Sequence, residues 1–175
     1  MEINIKNKKY HLKKESFERQ VSYTLYDKKG QTTFEKAGSV LYYIEFDDYS
    51  SYLWLTSINV EEKYQSMGLG QFLFDLLYND AILKRASYIE GKYFPTNDKA
   101  KPFYDKNGCE IYKAGYETFV FKSIPYDCKP NQYFSDIATQ TSIEEKLKAK
   151  KEAIPLKQSV VNAPATHLHE DGGRI

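Results

Sequence analysis

An apolar, β-branched run ending in Ile58-Asn59-Val60 gives way to a polar turn, and Gln65-Ser66-Met67-Gly68-Leu69-Gly70 then opens an amphipathic segment. Strand, glycine loop and helix in that order constrain this chain more than any other feature. They predict a nest of unpaired backbone N–H groups at a helix N-terminus. Orphan donors and the positive end of the helix dipole point the same way there, which favours a phosphate or diphosphate. Glycines let the backbone approach such an anion without a Cβ in between. By itself, Gln-x-x-Gly-x-Gly is equally satisfied by a tight strand-to-helix turn with no ligand.

A further block, Asn97-Asp98-Lys99-Ala100-Lys101-Pro102-Phe103-Tyr104-Asp105-Lys106-Asn107-Gly108-Cys109, narrows the choice. Together the two blocks resemble the GNAT family of acetyl-CoA-dependent N-acetyltransferases. The glycine block is similar to the family's acetyl-CoA loop. The block from Asn97 is similar to its Asn-x-x-Ala-x-x-Phe-Tyr-x-Lys-x-Gly-Phe pattern, with Cys109 where Phe is usual. The resemblance covers roughly residues 36–122.

The resemblance implies roles residue by residue. The backbone of Ile58, Asn59 and Val60 would hydrogen-bond the pantetheine arm of acetyl-CoA, while the side chains of Ile58 and Val60 pack in the core. Gln65, Ser66, Met67, Gly68, Leu69, Gly70 and Gln71 would wrap the diphosphate. Asn97 would reach the cofactor, or would cap the helix that follows it. Tyr104 would be the general acid that protonates the departing thiolate. A tyrosine hydroxyl, with a reference pKa of about 10, keeps its proton at neutral pH. With 16 tyrosines in the chain, a packing role is the default for any one of them, and only the motif register singles out Tyr104.

The general base is open. No Asp or Glu lies between Tyr52 and Val60, so Glu45, Asp47, Asp48, Glu90, a water relay through Thr56 or Ser57, or a backbone carbonyl are the alternatives. Cys109 reads as a buried thiol rather than a nucleophile. His11 is the only histidine outside the tail, so no hydrolase triad can be assembled.

Composition bounds the rest. The chain has 175 residues, 41% of them hydrophobic, enough for one core and too few for two ordinary domains. Net charge is +1, from 25 basic and 24 acidic residues, so no global field recruits nucleic acid or an anionic membrane. No apolar run approaches the roughly 20 residues that span a bilayer. The N-terminus lacks the apolar stretch of a signal peptide. Two cysteines form neither a disulfide framework nor a zinc site, so no metal is expected and a cytoplasmic location is the default.

Hydrophobic periodicity predicts an α+β fold with a mostly antiparallel sheet. The resemblance implies that it is GNAT-like and three-layered, with the twisted sheet splayed between its fourth and fifth strands. Strands are expected over residues 2–12, 21–26, 39–46, 52–60 and 88–94, with 52–60 buried on both faces. Helices are expected from Leu69 to about Leu83 and again up to Asn107-Gly108, one on each side of the sheet. Two closing strands, 110–113 and 116–122, complete it. The resemblance implies two helices between the first two strands, but residues 13–19 leave room for one short helix at most. The acetyltransferase domain is expected over 1–124, followed by a polar, weakly ordered extension over 125–175. In that extension the capping-box pattern Ser142-Ile143-Glu144-Glu145 predicts a short helix over about 142–152.

The expected activity is acetyl transfer from acetyl-CoA to a primary amine by direct attack. The acceptor could be a small molecule, an aminoacyl group or a protein amine. A homodimer and a partner docked on the tail are compatible with the sequence. The alternatives are a non-catalytic acyl-CoA-binding sensor and a purely structural interaction module.

Overall fold

Alternation of apolar and polar residues at period two dominates the N-terminal half and builds a meander of hairpins. The computed structural model describes residues 1–152. β1 (Glu2–Ile5), β2 (Lys8–Phe17), β3 (Gln20–Lys28), β4 (Phe34–Phe46) and β5 (Ser51–Val60) pair antiparallel in succession. After helix α1 (Leu69–Leu83), β6 (Tyr88–Tyr93) pairs parallel to β5. Helix α2 (Ala100–Lys106) leads to β7 (Glu110–Ala114), and β8 (Glu117–Ser123) inserts between β6 and β7. Helix α3 (Gln132–Glu152) follows. The α+β fold with a mostly antiparallel sheet is therefore the expected one. No described helix is long and apolar enough to cross a membrane.

Several expected boundaries are corrected. Residues 2–12 are two strands, because Lys6 and Asn7, at φ 45° and 65°, make a tight turn between them. Residues 13–19 hold no helix. β2 continues to Phe17 and turns through Glu18, at φ 52°, into β3. A helix there would have stripped β3 of its ladder partner and left an unpaired edge.

The helical layer is also different from the expected pair of flanking layers. All three helices pack on the face that carries Leu12, Tyr23, Val40, Tyr42, Leu53 and Ile89, with Phe74 of α1 edge-on to Phe103 of α2 at 5.7 Å. The reason is handedness. β5–α1–β6 and β6–α2–β7 are parallel crossovers moving the same way across the sheet, so right-handed connections place both helices on one face. α3 joins them, with Phe134 against Phe72 at 5.4 Å and Ile137, Ala138 and Thr141 buried.

That helix starts ten residues before the predicted 142. Asn131 caps it, accepting the Tyr133 N–H on Oδ1 at 3.0 Å. Ser142 sits inside the helix instead, its hydroxyl donating to the Ala138 carbonyl at 2.8 Å and accepting the Lys14 ammonium at 2.9 Å. The apolar anchors lie ahead of the capping-box pattern, so packing outvoted local capping. The remainder of the expected extension, from 153 onward, lies outside the described residues.

The seam between β5 and β6 positions the site. Only three residue pairs join these strands: Leu53 with Ile89, Trp54 with Glu90 and Leu55 with Gly91. A Cβ on Gly91 would stand 2.4 Å from the Leu55 carbonyl oxygen, so glycine is required where the strands last touch. There β5 carries a bulge. Leu41 opposes Ser57 and Tyr42 opposes Leu55, which leaves Thr56 unopposed. Beyond the bulge β5 keeps β4 on one side and loses β6 on the other. Burial on both faces, expected for 52–60, does not hold: Leu53 and Leu55, on the helix face, are buried, Tyr52 and Trp54 on the opposite face are half-buried, and Thr56 and Asn59 are exposed.

Candidate active site

The splay opens a cleft of about 560 Å³ between the free half of β5, the N-terminus of α1 and the inner side of α2. Ile58, Asn59 and Val60 form one wall. Their other edge pairs with Ser39 and its neighbours in β4. Among the described residues the edge toward the cleft has no strand partner, so an extended chain can add to it.

The glycine loop forms the floor, and Gln65, Ser66, Gly68, Leu69, Gly70 and Gln71 all line it. Gly68 caps α1 in the left-handed region, at φ 85°, and its carbonyl accepts the Phe72 N–H at 3.0 Å. Ser66 is also left-handed, at φ 64°. Among the described residues, no protein acceptor takes the N–H groups of residues 66–71. The nest predicted from sequence is open from Ser66 onward, but the Gln65 N–H is already taken by the Glu62 carbonyl at 3.1 Å. Met67 is the exception among the expected ligands. Its side chain turns away from the cleft, and its sulfur accepts from the Tyr10 hydroxyl at 3.8 Å.

Asn97 lines the opposite wall and accepts the Lys99 N–H on its Oδ1 at 3.2 Å. It makes an Asx turn just ahead of α2. Tyr104 reaches the cleft from α2 and is 8% exposed. Burial, then the neighbouring Cys109 and Tyr93, pushes its hydroxyl up to about 12. Among the described residues no protein group accepts its proton, so the hydroxyl is held neutral and available. Burial likewise pushes the Cys109 thiol up to about 11, which suits a packing residue.

No motif announces the charge in this cleft. Among the described residues, Lys6, Lys99 and Lys106 line it and no carboxylate does. Lys6 comes from the tight β1–β2 turn and lies over Gly68. Lys99 donates to Gln65 Oε1 at 2.7 Å, bridging the mouth from α2 to the loop.

Sequence reasoning passes over Tyr64 as well. Its ring is buried beneath the loop, and its hydroxyl donates to Asp27 and Glu35, each at 2.9 Å. The ammonium groups of Lys8, Lys29 and Lys63 stand 5.2, 5.6 and 5.4 Å from its ring centroid. Burial alone would raise the Asp27 carboxyl, but hydrogen bonds from Lys29, Lys8 and Tyr64 outweigh it and bring Asp27 to about 2. This knot anchors the loop from below. Asp27 reads in the sequence as a turn residue, and only the register of β3 shows that it faces inward.

Of the four carboxylates considered as a base, Asp47 closes the β4–β5 hairpin, accepting from Tyr49 and Ser50 N–H at 2.9 and 2.7 Å. Glu45 faces Arg19 at 3.7 Å, and Asp48 is an exposed hairpin residue. Glu90 alone stands in the three-pair seam.

The arrangement fits coenzyme A in kind: a free strand edge for amides, open N–H groups with lysines for phosphates, and a neutral hydroxyl deeper in. Comparisons with known proteins agree with that geometry. No curated protein matches the chain. Among solved structures, NAA60 of Arabidopsis thaliana in complex with a bisubstrate analogue is 13% identical with a TM-score of 0.55, over 63% of this chain and 78% of that one. A GNAT-family acetyltransferase from Desulfovibrio desulfuricans is 16% identical with a TM-score of 0.51, over 61% and 70%. Naa50 of Arabidopsis thaliana, in complex with the bisubstrate analogue CoA-Ac-MVNAL, is 18% identical with a TM-score of 0.50, over 59% and 72%. The profile of the acetyltransferase (GNAT) family matches residues 5–109, and this chain belongs to that family.

Proposed function

We propose that the protein is an N-acetyltransferase that moves an acetyl group from acetyl-CoA to a primary amine by direct attack. One observation carries the reading: a single cleft brings together the open amides of residues 66–71, three lysines without a carboxylate, and the unpartnered Tyr104 hydroxyl. The backbone of Ile58, Asn59 and Val60 would take the pantetheine amides, which need partners once they leave water. The N–H groups of Ser66 through Gln71 would take the diphosphate, with Lys6 and Lys99 adding charge-assisted contacts. Met67 would contribute through its backbone alone. Asn97 would offer its free amide nitrogen to the cofactor.

When bound, acetyl-CoA supplies an activated acetyl thioester. Tyr104 would hand its proton to the departing sulfur, since burial keeps that proton in place at neutral pH. The rest of the rate would come from holding both reactants in one geometry.

Calorimetry with CoA and an assay over a panel of primary amines test the reading, run on the native chain and on Tyr104→Phe. Micromolar CoA binding, turnover of at least one amine and a large loss of turnover in Tyr104→Phe are expected. CoA binding with no amine turned over would identify a sensor, and no CoA binding would leave a structural module.

A further inference from the structure

Met67 stands apart from the rest of the glycine loop. It lies between two left-handed residues, Ser66 and Gly68, and its side chain reaches away from the cleft to β2. There its sulfur accepts from the Tyr10 hydroxyl at 3.8 Å, the only hydrogen bond joining loop and strand among the described residues. It is also the only described hydrogen bond that this hydroxyl makes, although Tyr10 is buried. A thioether is a weak acceptor, so a buried donor is left under-satisfied. Met67 itself is 39% exposed, within reach of a small oxidant.

An oxygen added to that sulfur has a place waiting for it. An O–H···O hydrogen bond of about 2.7 Å, meeting a sulfur–oxygen bond at a bent angle, spans the 3.8 Å already present. The sulfoxide therefore fits with no shift of loop or strand. Its oxygen is a far better acceptor than the sulfur, and it gives Tyr10 a full partner. The cleft stays clear, because Met67 does not line it.

We infer that Met67 is an oxidation site, and that its sulfoxide, held by the Tyr10 hydroxyl, fastens the glycine loop to β2. Methionine oxidation ordinarily places a polar group where an apolar one packed, and loosens the structure around it. Here a waiting donor reverses the sign. In the step, a sulfur lone pair attacks one oxygen of hydrogen peroxide. The O–O bond breaks, an S–O bond forms, sulfur gives up two electrons, and the second oxygen leaves as water. A methionine sulfoxide reductase restores the thioether. A fastened loop holds its amides in place before a ligand arrives, which lowers the ordering cost of binding. That last consequence rests on the reading of the loop as a coenzyme A site; the oxidation itself does not.

The test treats the full chain with hydrogen peroxide, then with dithiothreitol to return Cys109 and Cys128 to thiols. Peptide mass spectrometry locates the added oxygen, with only Met1 and Met67 to distinguish. Met67 is expected to take it up first, since the Met1 side chain is largely covered. The oxidised chain should melt about 2–4 °C higher, the shift that one better hydrogen bond gives a chain of this size. Tyr10→Phe oxidised at Met67 should show no rise, and Met67→Leu should not respond to peroxide. An unchanged or lower melting temperature, an equal rise in Tyr10→Phe, or a Met67 left intact while Met1 is converted would each overturn the inference. Calorimetry with CoA keeps the two readings apart. Binding about threefold tighter after oxidation is expected, and unchanged or weaker binding refutes the fastened loop. No CoA binding in either form refutes the acetyltransferase reading, and the melting temperatures then decide the oxidation site alone.

Discussion

Lys6 lies across Gly68. A methyl group built on Gly68 would come within 2.9 Å of the lysine Cε and 3.5 Å of its Nζ, so a residue of the first hairpin covers the loop that caps α1. Gly68 also holds φ 85°, where a side chain costs about 1–2 kcal/mol. Gly68→Ala is therefore expected to lower stability by about that much and to displace Lys6. CoA affinity should fall by more than Lys6→Ala alone lowers it, because the loop amides move too. Lys6→Ala should weaken CoA about threefold to tenfold at low salt and less at high salt, as an exposed charge does. Calorimetry at two ionic strengths checks both.

Tyr104→Phe is expected to reduce kcat about 10²- to 10⁴-fold, the usual worth of a positioned acid. CoA affinity and melting temperature should hardly change, since no described protein group depends on that hydroxyl. The pH profile follows from its position. The ordinary value of 10.0 is raised to about 12, so the hydroxyl stays protonated throughout pH 7–10. No loss of kcat in that range should trace to Tyr104. Whatever stability its neutral form contributes is complete below pH 10 and is lost as pH rises through about 12.

The knot beneath the loop has the opposite sign. Asp27 is depressed from 3.8 to about 2, so its contribution is complete above pH 4 and disappears as pH falls through 2. Asp27→Asn should cost about 1–3 kcal/mol at neutral pH, because Lys8, Lys29 and Tyr64 all donate to that carboxylate. Denaturant unfolding at several pH values should show the gap between variant and native chain closing in acid.

Gly91→Ala probes the seam. The added carbon would collide with the Leu55 carbonyl, which belongs to the backbone and cannot swing aside. A loss of about 1–3 kcal/mol or more is expected, together with weakened CoA binding as the gap widens. Thermal unfolding and a CoA titration of the same variant read the two effects.

How much of this could be read from residues alone depends on the range of the interactions. The strands around Leu41, Leu55 and Ile89 and the helix from Leu69 carry their own periodicity, so they are legible. The glycine loop is legible because its backbone requirement is local. The Lys6-Asn7 and Glu18 turns are not, since Lys, Asn and Glu occupy left-handed positions where glycine would have announced them. Nor are the contacts that span the chain. Lys6 on Gly68 and Tyr64 on Asp27 bring together segments that only sheet register makes neighbours. The start of α3 is misplaced by sequence because the capping pattern at Ser142 is a local signal, and burial of Phe134 and Ile137 is not.

The short parallel seam also says how the molecule should come together and apart. The meander from β1 to β5 grows by adding each strand to the one before it, so it forms from contacts close in the chain. Closing the rest requires a 15-residue helix to be laid down and a late strand to be threaded between two earlier ones. The three pairs at Leu53, Trp54 and Leu55 are then the last stitches sewn and the first to give. Amide hydrogens of Ile89 to Gly91 should accordingly trade with solvent sooner than those of the hairpins.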